Sequence, residues 1–167
     1  KEKEPQNEYV TQVIRTSGDD GNIEVMGAFT TAIQRALLDG RVDIAVHSFK
    51  DLPIESVPGL QFGAISERED VRDVFISRNG EKLADLKPGS VVGTGSLRRE
   101  IQIKQLRPDI EVKFIQGNVD GRIKKMKDGE YDAIILAAAG LKRLGMLNQA
   151  TEILSEEDMI PAVGQGA

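Results

Sequence analysis

The sequence predicts an α/β fold built as two lobes with a cleft between them. Two observations carry this. Short β-branched runs bounded by turn residues recur along the chain, and the stretches between them place apolar residues at helical spacing. In addition, DGRVDIAV at 39–46 and DGEYDAII at 128–135 each join a helix stop to an apolar run through the same Asp-Gly-x-x-Asp pattern. Two similar strand–helix lobes joined by a crossing make a clamshell. A length of 167 residues suits one large domain or two small ones.

Composition narrows the function. With 40% hydrophobic and 29% charged residues, the chain can bury a core. Aromatics are only 4%, without Trp, which argues against a platform for stacking bases. The net charge of −5 argues against a general polyanion binder, so no nucleic-acid partner is expected. The chain has no Cys and one His, which removes disulfides, thiolate chemistry and His-rich metal sites. No run is apolar enough to span a bilayer and no signal peptide is visible, so no membrane partner is expected. The cytoplasm is the default location, and a monomer is expected. The chain begins at Lys1 without Met and stops at Ala167 in a Gly-rich turn, and both ends read as cuts.

In chain order, residues 1–6 are charged and fray, 9–14 alternate as a strand, and 16–22 are a turn-rich loop. Met26, Phe29, Ile33 and Leu37 give one apolar helix face, and Asp39-Gly40 stops that helix. Strands are expected at 42–46 and 60–65, and the charged break at 66–70 is the expected crossing. Lobe 1 is thus 1–66, lobe 2 is 67–158, and 159–167 is an extended segment returning to lobe 1. Within lobe 2 the pattern predicts strands at 74–77, 90–93, 111–115 and 131–137. Helices are expected at 81–86, 96–106, 119–127, within 138–145, and at 152–159. The helix ending at Leu106 stops before Pro108, because the residue before a proline resists helix.

Two polar constellations follow apolar runs. The first is VDIAVHSFKDLP at 42–53, where Ser48, Lys50 and Asp51 stand just beyond a strand. Ligands in open α/β sheets sit outside the carboxyl ends of strands. The same residues also describe a solvated loop with Asp51 as a turn residue. The second is Thr94-Gly95-Ser96-Leu97-Arg98-Arg99, where a strand enters a helix. Ser96 suits an N-cap, and free amides at a helix start bind anions. Arg98 and Arg99 in the first turn oppose the helix dipole, a conflict an anionic ligand would offset. Arg122 and Arg143 hold comparable positions after the next two strands. Any one of these is ordinary as a surface arginine; four after three successive strand ends point to several carboxylates, whose geometry suits the guanidinium fork. No P-loop or G-x-G-x-x-G is present for phosphate.

At these residues the chain closely resembles the hydroxymethylbilane synthase (porphobilinogen deaminase) family. The matching segments, in the family's order, are VDIAVHSFKDLP, GTGSLRRE, GNVDGRI, GEYDAIILAAAGLKRLG and PAVGQGA. The resemblance implies a transferase of three domains, whose first two are lobes like those of type II periplasmic binding proteins. It implies stepwise head-to-tail condensation of four porphobilinogen molecules with loss of ammonia, on a dipyrromethane cofactor fixed to a Cys of the third domain. By the same resemblance Asp51 is the catalytic carboxylate, stabilising the cationic azafulvene left when ammonia departs and taking part in proton transfer. Lys50 and Ser48 become ligands of substrate or cofactor carboxylates, Thr94, Ser96, Arg98, Arg99, Arg122 and Arg143 hold further carboxylates, and His47 anchors the loop.

The chain also departs from the family. A GTR-x-S-x-LA segment that supplies Arg and Ser is absent, Met26 and Thr31 stand where lysines are usual, and Gln116 replaces an Arg. No third domain or Cys follows Ala167. The expectation is that this chain alone does not turn over by the family mechanism. A non-catalytic clamshell binder of a small anion, a degenerate or truncated paralogue, is the alternative, and it has no need of Asp51.

Overall fold

The computed structural model describes residues 6–14 and 30–167, which divide between two units. One comprises Lys1–His47 with Asp51–Gly63, the other Ser48–Lys50 with Ala64–Ala167. The expectations for 1–5, for the loop at 16–22 and for the Met26 and Phe29 part of the first helix lie outside the described residues.

In the first unit the apolar spacing folds as helix α1 (Thr31–Leu38), with Ala36 fully buried. Its end is a Schellman turn: the Gly40 N–H donates to Leu37 O (3.0 Å) and the Arg41 N–H to Ala36 O (2.9 Å). The strands expected at 9–14, 42–46 and 60–65 are not found; none of the described residues of this unit is in a sheet. The reason is physical. An extended run becomes a strand only when a neighbour accepts and donates its backbone hydrogen bonds. Among the described residues no such neighbour pairs with 42–46, and Ile44 and Val46 remain 74% and 91% exposed.

The second unit is organised by two apolar runs that are buried on both faces, DVFIS and AIILA. Strand β1 (Asp73–Ser77) leads, and after a 3-10 turn at Leu83–Asp85 strand β2 (Val91–Gly93) enters helix α2 (Leu97–Leu106). Strand β3 (Glu111–Lys113), helix α3 (Val119–Lys127), strand β4 (Ala133–Ala137), helix α4 (Ala138–Arg143) and the two-residue strand β5 (Glu152–Ile153) follow. The sheet order is β3-β2-β4-β1-β5. Strands β2, β3 and β4 are parallel, whereas β1 runs antiparallel to β4 and β5.

Alternation along the two central strands splits the core between the faces of the sheet. Phe75, Ala133 and Ile135 pack with Val92, Ile103, Leu154 and Met159 on one side. Val74, Ile76, Ile134 and Leu136 pack with Ile123, Met126 and Leu141 on the other. Burying a side chain of this size stabilises by roughly 1.5–3 kcal/mol. This is the mixed α/β architecture expected.

Two helices of this unit read differently. The helix expected at 81–86 is only the 3-10 turn Leu83–Asp85. The helix expected at 152–159 is β5 followed by a turn. The Thr151 N–H donates to Phe75 O and the Leu154 N–H to Asp73 O, so the sheet edge claims these backbone groups first. Ser155 Oγ then accepts from the Asp158 N–H at 3.1 Å and Ser155 O from the Met159 N–H at 2.9 Å, a single capped turn that stops before Pro161. The repeat between the units is real at its cap. Gly129 donates to Met126 O (3.0 Å) and Glu130 to Lys125 O (3.1 Å), reproducing the bonds at the end of α1.

Candidate functional site

The antiparallel course of β1 decides what stands at the carboxyl edge of the sheet. Its first residue, Asp73, lies opposite Ala137, the last residue of β4. A fully buried carboxylate is thereby set beside the start of α2. Arg99 Nη2 donates to Asp73 Oδ1 at 2.7 Å and Arg98 Nη2 to Asp73 Oδ2 at 2.5 Å. Arg99 Nη1 also donates to Ile135 O (3.3 Å), and Arg98 Nη1 donates to Ile160 O. The electrostatic conflict of arginines in a first helical turn is thus met by an internal anion. Burial pushes the Asp73 carboxyl up, but Arg99, then Arg98 and Gln165, outweigh it and hold it below the usual carboxylate range. Asp73 balances only one of the two guanidinium charges, and Nε of both arginines is buried without an acceptor.

The closing segment supplies the next part. Gln165, 1% exposed, donates through Nε2 to Val71 O (2.6 Å) and Asp73 Oδ1 (2.8 Å). Its Oε1 accepts from Lys50 Nζ at 3.2 Å. The Phe49 N–H donates to Ala167 O, and the Glu69 N–H to Gly166 O, both at 3.0 Å. Arg68 Nε donates to Gln165 O at 3.0 Å, and Arg143 Nη2 to Gly166 O at 3.2 Å. Gly166 has φ +96°, and a Cβ there would lie 2.5 Å from Glu69 O, so only glycine allows this approach.

A cavity of about 60 Å³ opens here, lined by Ser48, Lys50, Gly140, Arg143 and Gln165 among others. Ser48, Lys50 and Arg143, predicted from separate stretches, are therefore brought together at one edge of the sheet. Arg122 stands apart. Its Nε donates to Gly117 O at 2.6 Å, and its Nη1 lies about 4.0 Å from where a Cβ on Gly95 would stand. Thr94 is buried, with Oγ1 accepting from the Ser96 N–H at 3.2 Å. Ser96 occupies the N-cap of α2 as expected, yet makes no side-chain capping bond. Asn118 does cap α3, its Oδ1 accepting from Gly121 N–H at 2.8 Å. Asp51 ends the 3-10 turn Phe49–Asp51, belongs to the first unit and is exposed.

Asp73 and Gln165 are the site residues that sequence reasoning missed. The signal for Asp73 is a carboxylate opening an otherwise apolar run, and for Gln165 an amide held between two glycines.

The family described as porphobilinogen deaminase, dipyromethane cofactor binding domain, matches residues 1–167. The chain belongs to the porphobilinogen deaminase family. It is 48% identical to the porphobilinogen deaminase of Thermus thermophilus over 168 residues, covering 100% of this chain and 56% of that protein. It is 49% identical to that of Syntrophobacter fumaroxidans over 162 residues, covering 93% of this chain and 52% of the relative. For Thiobacillus denitrificans the identity is 52% over 141 residues, 84% and 46% of the two chains. The chain spans about half the length of the curated relatives it matches.

The residues present fit the family's dipyrromethane cofactor at its carboxylates. Lys50, Ser48 and Arg143 line a space large enough for one carboxylate, and the buried Nε donors of Arg98 and Arg99 lack acceptors. The 167 residues contain no Cys. Among the described residues no group of His, Cys, Asp or Glu is placed to hold a metal ion, and no helix is long and apolar enough to cross a membrane.

Proposed function

We propose that these residues form the substrate- and cofactor-binding part of a hydroxymethylbilane synthase, a transferase of heme and tetrapyrrole biosynthesis that joins four porphobilinogen molecules head to tail with release of ammonia. On this reading the two units are the lobes of a type II periplasmic-binding-like clamshell, the enzyme is a cytoplasmic monomer, and its substrate is porphobilinogen.

The observation that carries the reading is the cluster of cations at the carboxyl edge of one sheet, Lys50 and Arg143 around a cavity with Arg98 and Arg99 anchored on Asp73. Porphobilinogen carries an acetate and a propionate, so a growing chain gathers negative charge that such a cluster neutralises. Lys50, Ser48 and Arg143 hold carboxylates at the cavity, while Arg98, Arg99, Arg122, Thr94 and Ser96 serve the units beside it. The dipyrromethane, when bound, supplies the pyrrole end to which the first substrate is joined. Asp51, at the end of the same 3-10 turn as Lys50, accepts hydrogen bonds from pyrrole N–H groups. Its carboxylate stabilises the cation formed when the amine leaves as ammonia, and takes up the proton lost when the new bond is made.

The test is Asp51→Asn in the complete gene product. Porphobilinogen consumption falls by at least about a hundredfold, the order of one positioned acid or base, while the substrate still binds. Unchanged consumption would remove Asp51 from the chemistry. Binding without consumption in the unsubstituted protein would favour the anion-binder reading instead.

A further inference from the structure

The side-chain amide of Gln165 can face only one way. Both of its N–H bonds are spent, on Val71 O at 2.6 Å and on Asp73 Oδ1 at 2.8 Å. Reversing the amide would set its NH2 against the Lys50 ammonium and its oxygen against a carbonyl and a carboxylate, losing every bond. Its Oε1 is therefore held toward Lys50 Nζ. Asp73 in turn holds Arg98 and Arg99 through separate oxygens. Three cations from two distant parts of the sequence, Lys50 and the adjacent Arg98 and Arg99, are thus linked to one buried carboxylate, Lys50 through Gln165.

We propose that Gln165 is a positioning residue that, with Asp73 as anchor, holds Lys50 in register with Arg98 and Arg99 for an anionic ligand. This rests on the functional reading above and goes beyond it, since it assigns Lys50's efficacy to a residue whose amide is engaged within the fold. A flexible lysine stem loses much side-chain entropy when its end is fixed. The Gln165 Oε1, itself fixed by its two donated bonds, gives the Lys50 ammonium a set position at 3.2 Å.

The experiment is a double-mutant cycle on kcat/KM for porphobilinogen in the complete holoenzyme, with Lys50→Met and Gln165→Met. Each substitution alone lowers kcat/KM mainly through KM. If Gln165 acts through Lys50, the loss from Lys50→Met is roughly tenfold smaller in the Gln165→Met background than in the unsubstituted one, a coupling in the usual range for residues sharing a network. Equal losses in both backgrounds would overturn the proposal, because a residue that serves only the fold multiplies independently. Thermal melting of each variant reports folding. If Gln165→Met does not fold, Gln165→Asn, whose shorter side chain falls away from Nζ, enters the same cycle with the same two outcomes. Unsubstituted holoenzyme that neither binds nor consumes porphobilinogen would fail the functional reading itself and this inference with it. Consumption with independent losses would fail only the inference.

Discussion

Removing the charge of Asp73 would leave two guanidinium groups in the fold without their counter-ion. Breaking a buried pair from one side costs about 3–5 kcal/mol, because the remaining charge stays buried. Asp73→Asn therefore lowers the free energy of unfolding by that order near neutral pH, measured by denaturant titration. The pH dependence has a definite sign. The folded-state pKa lies below the ordinary 3.8, so ionised Asp73 stabilises the fold above about that pH, and the contribution is lost as pH falls through the depressed value. The original protein loses stability more steeply than Asp73→Asn on acidification below pH 3.8. Parallel acid curves would show that the carboxylate is not ionised in the fold.

At the scale of elements, the end of α2 and the closing segment are held by few residues. Arg107 follows Leu106 and donates to Leu83 O (2.6 Å), Ala84 O (3.0 Å) and Leu86 O (2.7 Å), while Asp109 accepts from its Nε and Nη2. This one side chain docks the 3-10 turn onto the helix. Arg107→Ala costs about 2–3 kcal/mol, several charge-assisted bonds discounted for their partial exposure. A denaturant midpoint that did not move would contradict it. In the closing segment Gly166→Ala forces a side chain onto Glu69 O. A positive φ costs an L-residue about 1–2 kcal/mol before any clash. Destabilisation above 2 kcal/mol is expected, with weaker anion binding as Gln165 is displaced, and calorimetry checks both.

These elements also show what the sequence made legible. Helix α3 and strands β1, β2 and β4 lie close to where periodicity and turn residues put them, because each is bounded by Gly or Asp signals and buried where it is apolar. Residues 42–46 read as a strand by composition, yet a ladder depends on a partner that composition does not encode. Residues 152–159 read as an acidic helix. The edge of β1 takes the backbone of residues 151–154 instead, and a single turn capped by Ser155 is what remains. In the site, Ser48, Lys50 and Arg143 were legible as residues beyond apolar runs; Arg143 does follow β4 through α4, whereas no strand stands among the described residues before Ser48 and Lys50. Asp73 was not, since its meaning depends on β1 running against its neighbours.

Across the whole molecule, the distribution of charge sets what the site can hold. An acidic chain at −5 overall collects Lys50, Arg98, Arg99 and Arg143 at one sheet edge, which makes a local site for an anion rather than a general polyanion surface. Such a site weakens as salt rises, and binding of porphobilinogen should fall between low and high ionic strength. Salt-independent affinity would mean that the carboxylates are not what the site holds. The central claim is that this site serves a condensation and not mere capture. The most direct test is the ammonia released by the complete gene product per porphobilinogen consumed. The account predicts one ammonia for each molecule, with a linear tetrapyrrole as product. Porphobilinogen bound with no ammonia released would contradict it.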